Sequence, residues 1–203
     1  KVTLIDRRDI AGGSTSATTS MLQYEIDVPL HELAEKIGEA AAALCYRAGI
    51  DAIRQLEHLV QTLQLDCGFK RKQSLYYAHS VAAEKKLKKE FAIRKKYRLG
   101  VRWMEASAIW KKYGIQCKGG VLSETAASMD AYLLAHALIQ YNHQRGMRVF
   151  DQTAISKHHA TQKGVQLITS DRYTIECKKV IYCNGFEATE MLKEKIADLI
   201  YTY

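Results

Sequence analysis

Three short patterns in this sequence carry residue types that can do chemistry. The first is Val2-Thr3-Leu4-Ile5-Asp6, a run of strand formers ending in a carboxylate. An acid at the end of a parallel strand can accept hydrogen bonds from the ribose hydroxyls of a dinucleotide, although a strand ending in Asp is also an ordinary turn or cap. The glycine-rich loop that would precede such a strand by about twenty residues is absent, because the chain opens on the strand itself. The second pattern is Gly12-Gly13-Ser14-Thr15-Ser16-Ala17-Thr18-Thr19-Ser20-Met21-Leu22. Residues this small let backbone approach a flat ring or a phosphate, and their hydroxyls can donate to it. Composition alone equally describes a flexible surface loop. Two details argue otherwise: Met21 and Leu22 want burial, and several residues could start a helix whose first amides suit an anion. The third pattern is Val180-Ile181-Tyr182-Cys183-Asn184-Gly185, a β-branched run ending at a glycine. It reads either as a core strand with a tight turn or as a strand delivering backbone to a cofactor at the edge of an open α/β sheet. In the second case Gly185 keeps that approach clear.

These patterns must be held by regular elements, and the rest of the sequence supplies them. Residues 2–6 read as a buried strand, and residues 7–29 are small and polar up to Pro29, the sole proline. From 30 to 66 runs a long helical pattern (Leu30, Leu33, Ile37, Ala41, Leu44, Ile50, Ile53, Leu56, Leu59, Val60, Leu63), with a break expected near Gly49. Residues 68–79 predict a hairpin centred on the strand formers Ser74 to Ala78, and a basic helix follows over about 81–98. Val101–Met104 reads as a strand, Ala106–Tyr113 as a short helix and Gly119–Thr125 as another strand. A second amphipathic helix over about 130–145 has Asp130 as its N-cap and Gly146 as its stop. Strands are predicted near 148–150, 153–159, 164–169, 173–177 and 180–182, then a helix from 187. This alternation predicts a mixed α/β fold.

Bulk properties narrow the classes. With 203 residues and 47% hydrophobic content, the chain can form one or two domains with real cores. No apolar run approaches the roughly 18 residues of a membrane span, and the N-terminus lacks a signal peptide's apolar stretch. Cys45, Cys67, Cys117, Cys177 and Cys183 are odd in number and widely spaced, which argues against a disulfide framework or zinc site and for a reducing cytoplasm. The net charge of +8 could indicate nucleic acid or an acidic ligand. Much of the excess lies at Lys70–Lys72 and from Lys85 to Arg102, where lysines surround Leu87, Phe91, Ile93 and Tyr97. At helical spacing Leu87, Phe91 and Arg94 share a face, so the segment reads as a solvated helix with an apolar stripe. It carries no nucleic-acid motif or basic–aromatic platform, so no specific nucleic-acid partner is expected.

In order and at this separation, the three patterns resemble FAD-dependent oxidoreductases of the D-amino-acid oxidase and glycine oxidase family. The resemblance runs through Thr3-Leu4-Ile5-Asp6 and Gly13 to Leu22. It resumes at Met129-Asp130-Ala131-Tyr132-Leu133-Leu134, Gly146-Met147-Arg148-Val149-Phe150, Thr153-Ala154-Ile155 and Val180 to Gly185, while residues 30–125 match in general layout. It implies a partial FAD-binding Rossmann-like domain from residues 1–29 and 126–203, with an inserted α+β substrate or cap region over 30–125. It also implies a piece of a longer protein, lacking the glycine-rich strand–loop–helix and the C-terminal part and inactive by itself.

By the same resemblance, Asp6 would bind the adenosine ribose, with Arg7 and Arg8 beside the adenine or phosphates. Ser14, Thr15, Ser16 and Thr18 would meet the pyrophosphate or ribityl chain, and Thr19, Ser20 and Met21 the isoalloxazine. Ala154 would meet the adenine through its backbone, and Cys183, Asn184 and Gly185 would form the small-residue turn over the flavin. Family members more often have alanine at the positions of Cys183 and Asn184. The implied reaction is hydride transfer to flavin from a small amine, amino acid or hydroxy acid. No catalytic residue is assigned; Tyr76, Tyr77, His79, His136, His143, His158 and His159 read as structural or exposed. Two other readings compete: a module of this ancestry that binds no flavin by itself, and a basic protein for nucleic acid or an acidic partner.

Overall fold

The computed structural model describes residues 1–183 and residue 185. Along the chain lie β1 (Thr3–Ile5), α1 (Ser14–Ala17), β2 (Met21–Gln23), α2 (Leu30–Ile37) and α3 (Glu39–Thr62). Next come β3 (Lys70–Tyr77), α4 (Val81–Lys96), β4 (Val101–Met104), α5 (Ala106–Tyr113), β5 (Gly120–Ser128) and α6 (Ala131–His143). The described elements end with β6 (Arg148–Phe150), β7 (Ile155–Thr161), β8 (Gly164–Thr169) and β9 (Thr174–Cys177). The fold is mixed α/β, as the alternation predicts. The chain divides into two compact units: Ile10–Met147 with Lys1, and Val2–Asp9 with the chain from Arg148 onward.

The first unit is organised by β5, which pairs antiparallel with β2, β3 and β4. Every residue from Gly120 to Ala127 is buried except Glu124, so β5 is a central strand covered on both faces. On α3, Ala42, Ala43, Tyr46, Ile50, Ile53 and Val60 are buried, a helical spacing that gives one apolar face. That face meets Tyr24, Leu30, Leu99 and Ala127 in the main core. Each large aliphatic side chain buried there contributes roughly 1.5–3 kcal/mol.

The helical run breaks at Gly38 rather than near Gly49. Gly38 adopts φ +89° and donates its N–H to the Ala34 carbonyl, ending α2 as α3 begins. Gly49 lies inside α3, where a Cβ would sit 3.1 Å from the Tyr24 carbonyl oxygen; it lets the chain after β2 pass close to the helix. The hairpin expected at 68–79 is a single strand, β3, because its ladder forms with the distant β5. On α4, Ser80 is the N-cap, accepting from the Ala83 N–H at 3.2 Å. Asp130 caps α6 through the Leu133 N–H at 2.9 Å, and Gly146 lies past its end at φ +90°.

In the second unit β1 and β6 pair in parallel, Thr3 opposite Arg148 and Ile5 opposite Phe150. β7, β8 and β9 form an antiparallel meander. Residues Val180–Tyr182, expected as a strand, join no ladder, and Ile181 is 85% exposed. Extended backbone becomes a strand only where a neighbour accepts its hydrogen bonds, and none of the described residues does. The helix expected from 187 lies outside the described residues. No described helix is long and apolar enough to cross a membrane.

Candidate functional site

In the second unit, β1 ends in a turn built on Asp6. The Asp6 N–H donates to the Phe150 carbonyl at 2.9 Å, and the Asp6 carbonyl accepts from the Thr153 N–H at 2.8 Å. Its carboxylate Oδ1 accepts from the Arg8 N–H at 2.9 Å, a local turn of the kind aspartate favours. Gln152 braces the turn from across, donating its N–H to the Arg8 carbonyl at 3.2 Å and its amide to Asp9 Oδ1 at 2.9 Å. Because β1 and β6 are parallel, Asp6, Arg7, Arg8 and Ala154 all follow the carboxyl ends of the pair. That is the edge at which open α/β sheets receive ligands. Asp6 and Ala154 are half-buried, whereas Arg7 and Arg8 are exposed. The Ala154 carbonyl is engaged by the Ser170 N–H at 2.9 Å. Cys183 is exposed, Gly185 sits at φ +57° in the left-handed region, and Asn184 lies outside the described residues.

The small-residue run belongs to the first unit. Helix α1 is a single turn entered from Gly13, with no side-chain cap. Its hydroxyls are not equivalent. Ser16 donates its proton to the Gly13 carbonyl at 2.8 Å, so its oxygen is left as an acceptor. Thr18 and Ser20 accept from the N–H groups of Ser20 and Ala131 at 3.2 and 3.3 Å, so each keeps a proton to give. Ser14, Thr15 and Thr19 are exposed, and their hydroxyls make no hydrogen bond among the described residues. Ser20, at φ +55°, is held by α6 through its hydroxyl, and its carbonyl accepts from the Met129 N–H at 3.3 Å. Met21 opens β2 opposite Ser128 with 64% of its surface exposed. The sequence groups Asp6 to Met21 with Ala154 and the 183–185 turn, but the two compact units each hold only part of that set.

Sequence reasoning missed the polar cluster that anchors the chain just beyond Met21. Tyr24 and Glu25 follow β2, and the Tyr24 hydroxyl lies 2.9 Å from Ser123 Oγ. Glu25 Oε1 accepts from Ser74, Ser123 and Arg94 at 3.0, 2.8 and 3.0 Å. Arg94, only 1% exposed, also donates to Glu90 at 2.6 Å and lies over the rings of Tyr24 and Tyr46. Glu90 in turn caps α2 from another helix: its carboxylate accepts from the N–H groups of Leu30 and His31 at 3.0 and 2.9 Å. The His31 ring adds a contact at 2.8 Å.

Burial alone would raise the Glu90 pKa, but the Arg94 charge and the His31 and Leu30 donors outweigh it and hold the carboxyl below its ordinary value. Burial alone would lower that of Arg94, but Glu90 and its neighbours hold it above. Burial also pushes the Tyr24 and Tyr46 phenols up. The available signal was Glu90 and Arg94 at i and i+4 on the face that buries Leu87.

Comparison with known proteins places this geometry. The sequence profile of the DAO family, described as FAD dependent oxidoreductase, matches residues 1–202. Glycine oxidase from Bacillus cereus ATCC 14579 superposes with a TM-score of 0.72 at 19% identity, over 94% of this chain and 50% of that one. L-proline dehydrogenase from P. horikoshii superposes at 0.71 and 14% identity, over 97% of this chain and 50% of that one. A Bacillus subtilis protein, provisionally named Rieske 2Fe-2S iron-sulfur protein YhfW, is 23% identical over 92% of this chain and 36% of its own length. The chain thus spans about a third of that curated relative and about half of the solved structures. The structural likenesses establish the fold, and the profile, which covers nearly every residue, establishes the family: this chain belongs to the DAO family of FAD-dependent oxidoreductases.

Proposed function

We propose that the full-length protein oxidises a small amine, amino acid or hydroxy acid by hydride transfer to FAD. The observation that carries this is Asp6, a half-buried carboxylate in a braced turn at the carboxyl end of a parallel strand. An anionic acceptor at that place suits the ribose hydroxyls of an adenosine. Arg7 and Arg8 then lie beside the adenine or phosphates, and Ala154 meets the adenine through its backbone. Ser14, Thr15, Ser16 and Thr18 serve the pyrophosphate or ribityl chain; Thr19, Ser20 and Met21 serve the isoalloxazine. Phosphate and flavin oxygens need donors, and Ser14, Thr15, Thr18, Thr19 and Ser20 have hydroxyl protons to give, whereas Ser16 has spent its own. Ser16 therefore contributes through backbone or local geometry. The exposed Met21 offers an apolar surface to a flat ring. By the family resemblance, Cys183, Asn184 and Gly185 would supply the small-residue turn over the flavin.

In this reading residues 1–29 and 126–203 make the partial FAD-binding domain, and 30–125 the substrate or cap region. FAD, when bound, supplies the electron sink; the chain supplies orientation and electrostatics. The five unpaired cysteines favour a cytoplasmic location, and no specific nucleic-acid partner is required. The relative named for a Rieske 2Fe-2S centre favours a further element in the full-length protein, an iron–sulfur cluster.

The test is spectroscopic. Full-length protein should carry flavin absorbance that bleaches anaerobically with one of a panel of glycine, proline, other amino acids, secondary amines and glycerol phosphate. An electron paramagnetic resonance signal on reduction would establish the cluster. Protein that takes up no FAD on reconstitution would overturn the assignment and favour the flavin-free module.

A further inference from the structure

One surface pocket in the first unit is lined by none of the residues assigned to the cofactor. It has a volume of about 250 Å³ and is lined by Arg47, Ile50, Asp51, Arg54, Arg98, Leu99, Gly100 and Thr125. Three elements build it. Arg47, Ile50, Asp51 and Arg54 recur at i, i+3, i+4 and i+7 along α3, so they share one helix face. Arg98, Leu99 and Gly100 form the turn between α4 and β4, and buried Thr125 projects from β5. Ile50 and Leu99 belong to the main core, so the floor is rigid while the rim is charged.

The charges do not cancel. Arg54 meets Asp51 at 3.4 Å with both side chains more than half exposed, a geometry that contributes little. Arg47 donates to the Tyr97 carbonyl at 3.3 Å and stacks over that ring, leaving its charge unneutralised. The Arg98 guanidinium has no hydrogen bond or ion pair among the described residues. Three guanidiniums therefore face one carboxylate around a single concavity.

Arg98 also occupies a backbone position that suits another residue. The Arg98 N–H donates to the Lys95 carbonyl at 3.0 Å and the Leu99 N–H to the Arg94 carbonyl at 3.1 Å, the nested pair that closes a helix with a left-handed residue. Arg98 is that residue, at φ +55°, where glycine is ordinarily found. An arginine here forgoes backbone ease for a guanidinium at the pocket rim.

We propose that this pocket binds a small multivalent oxyanion, carrying phosphate or clustered carboxylate groups, through Arg47, Arg54 and Arg98. Guanidinium forks match both chemistries in bidentate fashion. The volume lies below the roughly 300–1,000 Å³ of sites for drug-sized ligands, which suits a compact anion and not a dinucleotide.

The probes are pyrophosphate and citrate, titrated calorimetrically into the full-length protein with FAD saturating, at roughly 150 mM salt to screen non-specific attraction. One saturable site is expected for at least one of them, and the stronger binder distinguishes phosphate from carboxylate chemistry. Arg98→Gly and Arg54→Ala should each weaken it about tenfold or more, the loss of one charge-assisted contact. Arg98→Gly should meanwhile keep or raise the melting temperature, because glycine takes the left-handed position freely. Lys86→Ala, a charge change on the exposed face of α4, should leave binding unchanged. Absence of a saturable site for both anions, or equal weakening by Lys86→Ala and Arg98→Gly, would overturn the proposal.

Discussion

Replacing Glu90 with glutamine should destabilise the protein by about 3 kcal/mol at neutral pH. The carboxylate serves four groups at once: the N–H groups of Leu30 and His31, the His31 ring, and Arg94 Nε. Breaking one partner out of a buried ion pair costs about 3–5 kcal/mol. Glutamine keeps one oxygen acceptor and Arg94 keeps Glu25, so the lower end applies. In a chain of this size that corresponds to roughly 6–12 °C in melting temperature. The pH dependence is the sharper readout. Glu90 is held below its ordinary value of 4.5, so its contribution is complete above that value and drains as pH falls through the depressed one. Urea unfolding of wild type and Glu90→Gln from pH 7 down to 3 should show the gap between them narrowing with acid. A cost below about 1 kcal/mol at pH 7, or a gap that does not narrow, would refute the clamp of α4 on α2 described above.

Three further outcomes are expected. Asp6→Ala in the full-length protein should weaken FAD binding by about 1–3 kcal/mol, seen as flavin lost on gel filtration; unchanged occupancy would make Asp6 a turn residue only. Gly164→Ala should destabilise the β7–β9 meander by about 1–3 kcal/mol, since its Cβ would lie 2.2 Å from the Cys177 carbonyl oxygen at φ +150°; amide exchange should quicken there and not in α3. Neutralising Lys85, Lys86, Lys89 and Lys95 should leave turnover unchanged, and binding to a labelled duplex should vanish between roughly 50 and 200 mM salt; sub-micromolar binding that persists and depends on these lysines would identify a nucleic-acid site.

Features set by neighbouring residues were legible in the sequence. The Val101–Met104 strand and Ala106–Tyr113 helix fall where the pattern of apolar and β-branched residues puts them, and Asp130 caps α6 as its type and place predict. Capping and periodicity need only a few residues, so one sequence suffices to see them. The break at Gly38 instead of Gly49 was not visible, because two glycines in one helical run look alike until Tyr24 is packed against the second. Nor was the single strand β3, whose partner β5 is brought to it only by folding. The Glu25–Arg94–Glu90 cluster shows the same limit. On α4, Arg94 reads as sharing a face with Leu87 and Phe91, yet its partly buried partner Glu25 lies 69 residues away and Ser123 is 98 residues from that glutamate. Arg47, Arg54 and Arg98 likewise become one pocket only when α3 and the α4–β4 turn meet over β5. Sequence determines which side chains carry charge and which faces are apolar; the desolvation that turns a charge into a clamp, and the concavity that turns scattered arginines into a site, exist only after distant segments have packed.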